Sequence, residues 1–295
     1  MTRFPYETID VFTDRPFGGN PLAVFTDARG LSDAQMQALA AEMNYSETTF
    51  VLPADDPAND ARVRIFHRTA EMPFAGHPNV GTAYVLARHG RDRNGVLRFE
   101  QKAGLVEVAV ERDPAGAVTG AVIAAPQALS LGMELPIDGI AVCAGLSVND
   151  IVTEGHKPVI ASVGVTFVLT QVVPEALAGA TPDLAAFRKV VQQHGELTGR
   201  LSLFLYARDG DTIRARMFAP LAGTWEDPAT GSASATLGAL LLSLDGGDKA
   251  AFSIVQGVEM GRPSFLKVTS WRAEDGYRSR VGGNCTPMFR GEALL

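Results

Sequence analysis

The sequence predicts an α+β chain built of two similar halves, and two observations carry that prediction. The first is a repeated segment. His77-Pro78-Asn79-Val80-Gly81-Thr82-Ala83 and Asp227-Pro228-Ala229-Thr230-Gly231-Ser232-Ala233 both fit [His/Asp]-Pro-x-x-Gly-[Thr/Ser]-Ala, and they stand 150 positions apart in a chain of 295. The second is the order of elements. Strand, helix, two strands, helix and two strands can be read once before Asp113 and again after Asp150.

In the first half, Glu7 to Phe12 and Leu22 to Phe25 read as strands flanking a turn-rich segment, Asp14 to Pro21. Ser32 followed by Gln35 forms a capping box, and Met36, Leu39, Ala40 and Met43 recur at helical spacing. Thr48 to Leu52 and Ala61 to His67 are strands. A helix is predicted from Pro78 to about Arg88, with Gly90 as its stop. Val96 to Glu100 and Leu105 to Glu111 form a hairpin. In the second half, Val163 to Val173 is a strand, and a helix follows with Thr181 as N-cap and Pro182 as its first residue. Ser202 to Ala207 and Thr212 to Phe218 are strands. A helix runs from Pro228 to about Leu244, stopped by Asp245-Gly246-Gly247. Ala251 to Val255, Ser264 to Ser270 and Tyr277 to Val281 complete the strands. Asp113 to about Asp150 is expected to cross between the halves. The expected division is 1–125 plus 278–295 as one lobe and 126–277 as the other.

Composition excludes several functions. Hydrophobic residues make up 46% and charged residues 20%, as in an ordinary globular core, and the net charge of −7 leaves no basic stripe for nucleic acid. No apolar run reaches membrane-spanning length, and the N-terminus carries no signal-peptide core. Cys143 and Cys285 do not make a disulfide framework, so a cytoplasmic location is expected. The histidines show no metal spacing, and no nucleotide-binding fingerprint or nucleophile elbow is present.

The chemistry centres on the two helix starts. Proline at a first helical position makes the preceding residue the N-cap, His77 in one half and Asp227 in the other. Aspartate is a strong cap and histidine is not, so capping alone does not account for His77. Unpartnered N–H groups at a helix start favour an anion by ~0.3–1 kcal/mol when exposed and up to ~2 kcal/mol when partly buried. Glu47 lies between a helix and a strand, with no counterpart in the second half. It reads either as a loop-capping surface residue or as the single base of a proton transfer, which needs a pKa raised from ~4.3 toward the working pH. Gln256-Gly257 through Arg262 reads as an anion-binding loop or as a tight turn.

These pieces together carry a family resemblance. Asp10-Val11-Phe12, Gly19-Asn20-Pro21-Leu22-Ala23-Val24-Phe25, Met43 to Val51, Pro73-Phe74-Ala75-Gly76-His77-Pro78, Glu226 to Ala233, and Gln256-Gly257 with Met260-Gly261-Arg262-Pro263-Ser264 resemble the phenazine-biosynthesis isomerase family, in its order. That family shares its scaffold with the diaminopimelate epimerases. The resemblance implies two lobes related by a pseudo-twofold axis, each a β-barrel-like sheet around a central helix, with the active site between them. It implies a cofactor-independent isomerase that moves a proton within a small carboxylate-bearing metabolite, as a homodimer with no metal. Glu47 falls on the acid/base carboxylate, and His77, Asp227 and Ser232 on its polar partners. Gly76, Ala229 and Gly231 fall on backbone contacts to substrate, and Asn20 on a loop lining the cleft. The two cysteines of the epimerases are replaced by Gly76 and Asp227, which disfavours a two-thiol racemase. Phe66-His67-Arg68-Thr69 departs from the Phe-Thr-Pro common in the family, and the substrate is left open. An epimerase acting on a small acid and a binding protein without turnover are the alternative readings.

Overall fold

The computed structural model describes residues 2–295. Along the chain the elements are β1 (Arg3–Val11), β2 (Asn20–Phe25), α1 (Asp33–Met43), β3 (Glu47–Leu52), β4 (Ala61–His67), β5 (Glu71–Met72), α2 (Gly76–Arg88), β6 (Val96–Gln101), β7 (Gly104–Arg112) and β8 (Val118–Ala124). There follow β9 (Ser130–Glu134), α3 (Ile137–Cys143), β10 (Val159–Ser162), β11 (Thr166–Gln171), α4 (Pro174–Leu177), α5 (Leu184–Gln193), β12 (Leu203–Asp209), β13 (Thr212–Ala219), β14 (Thr224–Asp227), α6 (Gly231–Asp245), β15 (Lys249–Gln256), β16 (Ser264–Ala273) and β17 (Gly276–Leu294). The chain divides into two units: Met1–Ala124 with Gly282–Leu295, and Ala125–Val281. Among the described residues no helix is long and apolar enough to cross a membrane.

In the first unit eight strands close on themselves. β1 pairs with β2 and with the end of β17, β2 with β3, β3 with β4, β4 with β6, β6 with β7, β7 with β8, and β8 returns to β17. The β2/β3 and β4/β6 pairs are parallel, because α1 and α2 carry the chain back between them. The barrel wraps α2, and every residue from Gly76 to Ala87 is buried. A helix so enclosed has no polar stripe to show to solvent, which is why its sequence is apolar or small on all sides. Gly81 marks the closest approach to the wall. A Cβ there would stand 2.6 Å from Leu22 and 2.8 Å from Ile9 and Val11. This glycine therefore serves packing rather than the approach of a ligand.

The second unit repeats the sequence of pairings. β10/β11 is antiparallel, β11/β12 parallel, β12/β13 antiparallel and β13/β15 parallel, with β14 beside β13 as β5 is beside β4. β15/β16 is antiparallel, as β6/β7 is. Here α6 is the enclosed helix, with all of Ala233 to Leu242 buried. A separate apolar cluster, including Ile140, Cys143, Phe187, Val190 and Leu203, seats α3 and α5 against the sheet. The α+β class and the barrel-around-helix scaffold are thus present.

Several boundaries differ from expectation. The α1 capping box is present: Gln35 N donates to Ser32 Oγ at 3.3 Å and Ser32 N to Gln35 Oε1 at 2.9 Å. The α5 cap is not Thr181 but Asp183, which accepts from Ala185 N and Ala186 N at 2.8 and 3.0 Å. Thr181 N and Asp183 N instead bond Ala144 O and Cys143 O, which holds 181–183 against the end of α3 and delays the helix. The span read as a strand from Val163 to Val173 contains β11, and the preceding β10, which pairs with it as a hairpin, was not anticipated. The supposed crossover contains β8, β9 and α3. β17 is far longer than the predicted Tyr277 to Val281, since it runs through Gly282-Gly283 to pair Cys285 through Leu294 with β1.

Candidate active site

Both enclosed helices are reached by the same device. In the first unit Arg64 on β4 forks onto Glu71 of β5, Nε to Oε1 and Nη2 to Oε2 each at 2.8 Å, with its guanidinium 5.1 Å from the Phe66 ring. In the second, Arg216 on β13 forks onto Glu226 of β14 at 2.8 and 2.9 Å, with its guanidinium 4.9 Å from Phe218. Bidentate pairing fixes orientation as well as distance. Five residues beyond each glutamate the helix begins on a glycine, Gly76 and Gly231.

That frame corrects the one read from sequence. His77 and Asp227 are not N-caps, and the helices do not begin at Pro78 and Pro228. The N-caps are Ala75 and Thr230, neither with a side-chain capping bond, so His77 is the second residue of α2 and Asp227 the last of β14. By register Asp227 lies opposite Met217 as Met72 lies opposite Ile65. His77 therefore matches Ser232, the second residue of α6. The Pro-x-x-Gly segment equivalent to Pro228–Gly231 is Pro73–Gly76, not Pro78–Gly81.

Within the first unit four of the predicted residues converge. β2 and β3 run parallel with Leu22 opposite Glu47, which places Asn20-Pro21 and Glu47 at neighbouring strand starts. Asn20 and Gly76 are buried. Glu47 Oε2 stands 3.2 Å from His77 Nδ1, with the side chains 14% and 6% exposed. Behind Glu47, Phe50 and Val51 are buried. Burial depresses the His77 pKa to about 3, only partly opposed by a hydrogen bond to the Pro21 carbonyl. The imidazole is therefore neutral. A carbonyl only accepts, and Nε2 is buried without a partner, so the ring proton belongs on Nδ1. Nε2 is left as a lone-pair acceptor, an arrangement suited to an N–H or O–H donor.

The sign of the resulting pH dependence is fixed. A histidine neutral in the fold but titrating near 6.5 when unfolded lets the unfolded chain bind the extra proton in acid. Its stabilisation is complete above that range and is lost as pH falls from about 6.5 toward about 3. We predict that the wild-type urea midpoint declines over this window with a slope that His77→Gln reduces by up to about 1.4 kcal/mol per pH unit. Identical slopes in the two proteins would contradict a buried neutral His77.

In the second unit Asp227, Ala229, Gly231 and Ser232 occupy one short stretch. Asp227 and Ala229 are buried, and Ser232 is partly exposed at the start of α6. Thr230 Oγ1 donates to Asp227 Oδ2 at 2.5 Å. Gln256, fully buried at the end of β15, donates from Nε2 to Asp227 O at 2.7 Å and Thr230 Oγ1 at 3.1 Å, and accepts from Thr230 N at 3.0 Å. Gly257 next to it has φ +74°, and a Cβ there would stand 2.5 Å from Arg262 O and 2.6 Å from Pro228 O. The Gln256–Arg262 segment is a tight turn, closed by Arg262 N to Gly257 O at 2.9 Å. Gln256 and Thr230 were missed as site residues; the Gln-Gly pair was visible in sequence, but its contacts lie 26 or more positions away.

The cysteines lie in other places. Cys143 is in α3, its thiol pushed up to about 12 by burial, and Cys285 is in β17, its thiol raised further by burial. Neither forms the thiolate that proton exchange at carbon would require.

Residues 9–291 match the family described as phenazine biosynthesis-like protein. Trans-2,3-dihydro-3-hydroxyanthranilate isomerase of Pseudomonas chlororaphis is 35% identical over 98% of this chain and 99% of its own. The Bacillus anthracis phenazine biosynthesis protein of the PhzF family superposes with a TM-score of 0.88 at 26% identity, covering all of both chains. A predicted epimerase of Pseudomonas aeruginosa does so at 0.80 and 33%, covering 99% of each. More distant racemases and epimerases share the fold alone.

Proposed function

The chain belongs to the phenazine biosynthesis-like family and is a small-molecule isomerase, and from that premise we propose a proton shift within a small carboxylate-bearing metabolite, without a cofactor, in which Glu47 is the base. The observation that carries this reading is the Glu47–His77 pair, a carboxylate held 3.2 Å from a neutral imidazole whose second nitrogen is buried and unpartnered. Glu47 removes a proton from carbon and returns it at another carbon of the same molecule, so atoms and charge balance within the substrate. His77 Nε2 accepts a hydrogen bond from a substrate hydroxyl or amine. Asp227 binds a second such donor. Ser232, with the uncapped N–H groups at the start of α6, holds the carboxylate and the enolate-like charge that develops from it. Asn20, Gly76, Ala229 and Gly231 are the further substrate contacts of this reading.

The named substrate of the Pseudomonas chlororaphis relative is the first compound to try. Incubation with trans-2,3-dihydro-3-hydroxyanthranilate in D₂O is expected to give a positional isomer carrying deuterium at carbon. Deuterium uptake with loss of optical activity and no shift of the double bonds supports the epimerase alternative. Tight binding without exchange supports the binding-protein alternative. If this compound does not bind, the same assay follows on carboxylic metabolites selected by thermal shift.

We propose a cytoplasmic homodimer as the working form. Sedimentation equilibrium is expected to return twice the chain mass of 31.3 kDa. A single species at the chain mass across the micromolar range excludes the dimer.

A further inference from the structure

We propose that Gln256 is a positioning residue that directs a two-step hydrogen-bond relay through Thr230 onto Asp227, fixing that carboxylate as an oriented acceptor. The inference rests on the reading of Asp227 as a substrate-binding group.

The direction of the relay follows from which groups can donate. Thr230 N only donates, so the Gln256 atom facing it at 3.0 Å is Oε1. Asp227 O only accepts, so the atom facing it at 2.7 Å is Nε2. Both constraints give the same amide orientation, and no flip satisfies either. With Nε2 established as the donor to Thr230 Oγ1 at 3.1 Å, the hydroxyl must send its single hydrogen elsewhere. It lies 2.5 Å from Asp227 Oδ2. The order is amide N–H to hydroxyl, then hydroxyl O–H to carboxylate. Each bond polarises the next in the same sense, and all three residues are buried, so the bonds are not diluted by water.

Two features make the arrangement more than a core contact. Gln256 closes the loop at three points, the backbone of Asp227, the backbone of Thr230 and the Thr230 side chain, so its position sets that of the whole Asp227–Thr230 link. The other carboxylate adjoining the link, Glu226, is engaged by Arg216 and does not compete for the Thr230 hydroxyl.

Replacing Gln256 by glutamate reverses the relay. An ionised carboxylate at position 256 cannot donate to Thr230 Oγ1 and takes the hydroxyl hydrogen for itself, so Asp227 loses that donor. The test is titration of the Asp227 carboxyl carbon by NMR in protein carrying ¹³C-labelled aspartate, which needs no substrate. The Asp227 resonance is assigned from its absence in Asp227→Asn. We expect its midpoint to rise by about one pH unit or more in Gln256→Glu and in Thr230→Val, and Thr230→Ser to restore the wild-type value. Amide spectra of each variant establish that the fold is kept. If Gln256→Glu does not fold, the neutral Gln256→Met takes its place, with a rise in the Asp227 midpoint expected and an unchanged midpoint removing Gln256 from the relay. A midpoint unchanged in Thr230→Val overturns the relay. Deuterium exchange into substrate tests the other half separately. Full exchange in Asp227→Asn removes Asp227 from the site while leaving the titration result standing.

Discussion

Glu47→Gln loses ~10²–10⁴-fold of the rate of deuterium exchange into substrate, while its unfolding midpoint stays near that of the wild type. The substitution is nearly isosteric, and His77 Nδ1–H keeps the Pro21 carbonyl as its acceptor, so the neighbouring ring keeps its partner. What disappears is the capacity to take a proton from carbon. Glu47→Asp keeps the charge but draws it back by one methylene. A displacement of that size costs on the order of 10²-fold where reacting atoms must be aligned, so this variant is expected between the other two. His77→Gln separates the pair. It leaves the base but removes Nε2, and is expected to reduce exchange less than Glu47→Gln does. Exchange at the wild-type rate in Glu47→Gln would assign the base to another residue.

The elements that carry these residues were largely legible in the sequence. The alternation in Ala61 to His67 predicted β4 to the residue, and Ser32 with Gln35 announced the start of α1. Both signals are local: one is the period of a half-buried strand and the other a reciprocal bond within four residues. The resemblance likewise implied that α2 and α6 are enclosed central helices, and both are buried. The helix starts were not legible, because the first unit contains two Pro-x-x-Gly segments, Pro73–Gly76 and Pro78–Gly81. Either can open a helix by local rules. Only the register of β4 with β5, anchored by Arg64 on Glu71, decides between them. That is a tertiary constraint, and it turned the comparison of His77 with Asp227 into one of His77 with Ser232. The end of β17 was hidden for a related reason. Gly282-Gly283 ends a strand by local rules, and the strand continues only because β8 lies against the pair and β1 takes up the pairing from Cys285 onward.

The same duplicated fork yields the largest expected effect on stability. Arg216→Ala is expected to cost ~3–5 kcal/mol, read as a lowered urea midpoint, because it breaks a buried ion pair from one side. The Arg216 and Glu226 side chains are 8% and 11% exposed. Arg216 Nη1 also donates to the carbonyls of Leu177, Ala178 and Ala180 at 3.0, 3.2 and 2.7 Å. Truncation strands the Glu226 carboxylate and leaves these carbonyls short of a donor, with no small rearrangement to serve them all. Arg216→Lys keeps the charge but not the fork, since a single ammonium cannot face Glu226 in two places and reach the carbonyls beyond α4. Part of the loss therefore remains. Arg64→Ala provides the internal comparison. Its fork onto Glu71 has the same geometry, but the Arg64 side chain is 20% exposed and Glu71 keeps Lys102 as a second cation. Its removal is expected to cost clearly less. Equal losses in the two variants would mean that fork geometry outweighs burial and the carbonyl contacts. A loss below about 1 kcal/mol in Arg216→Ala would show that the second fork does not hold β14 in place, and with it the short path from Glu226 to Asp227 and Gly231.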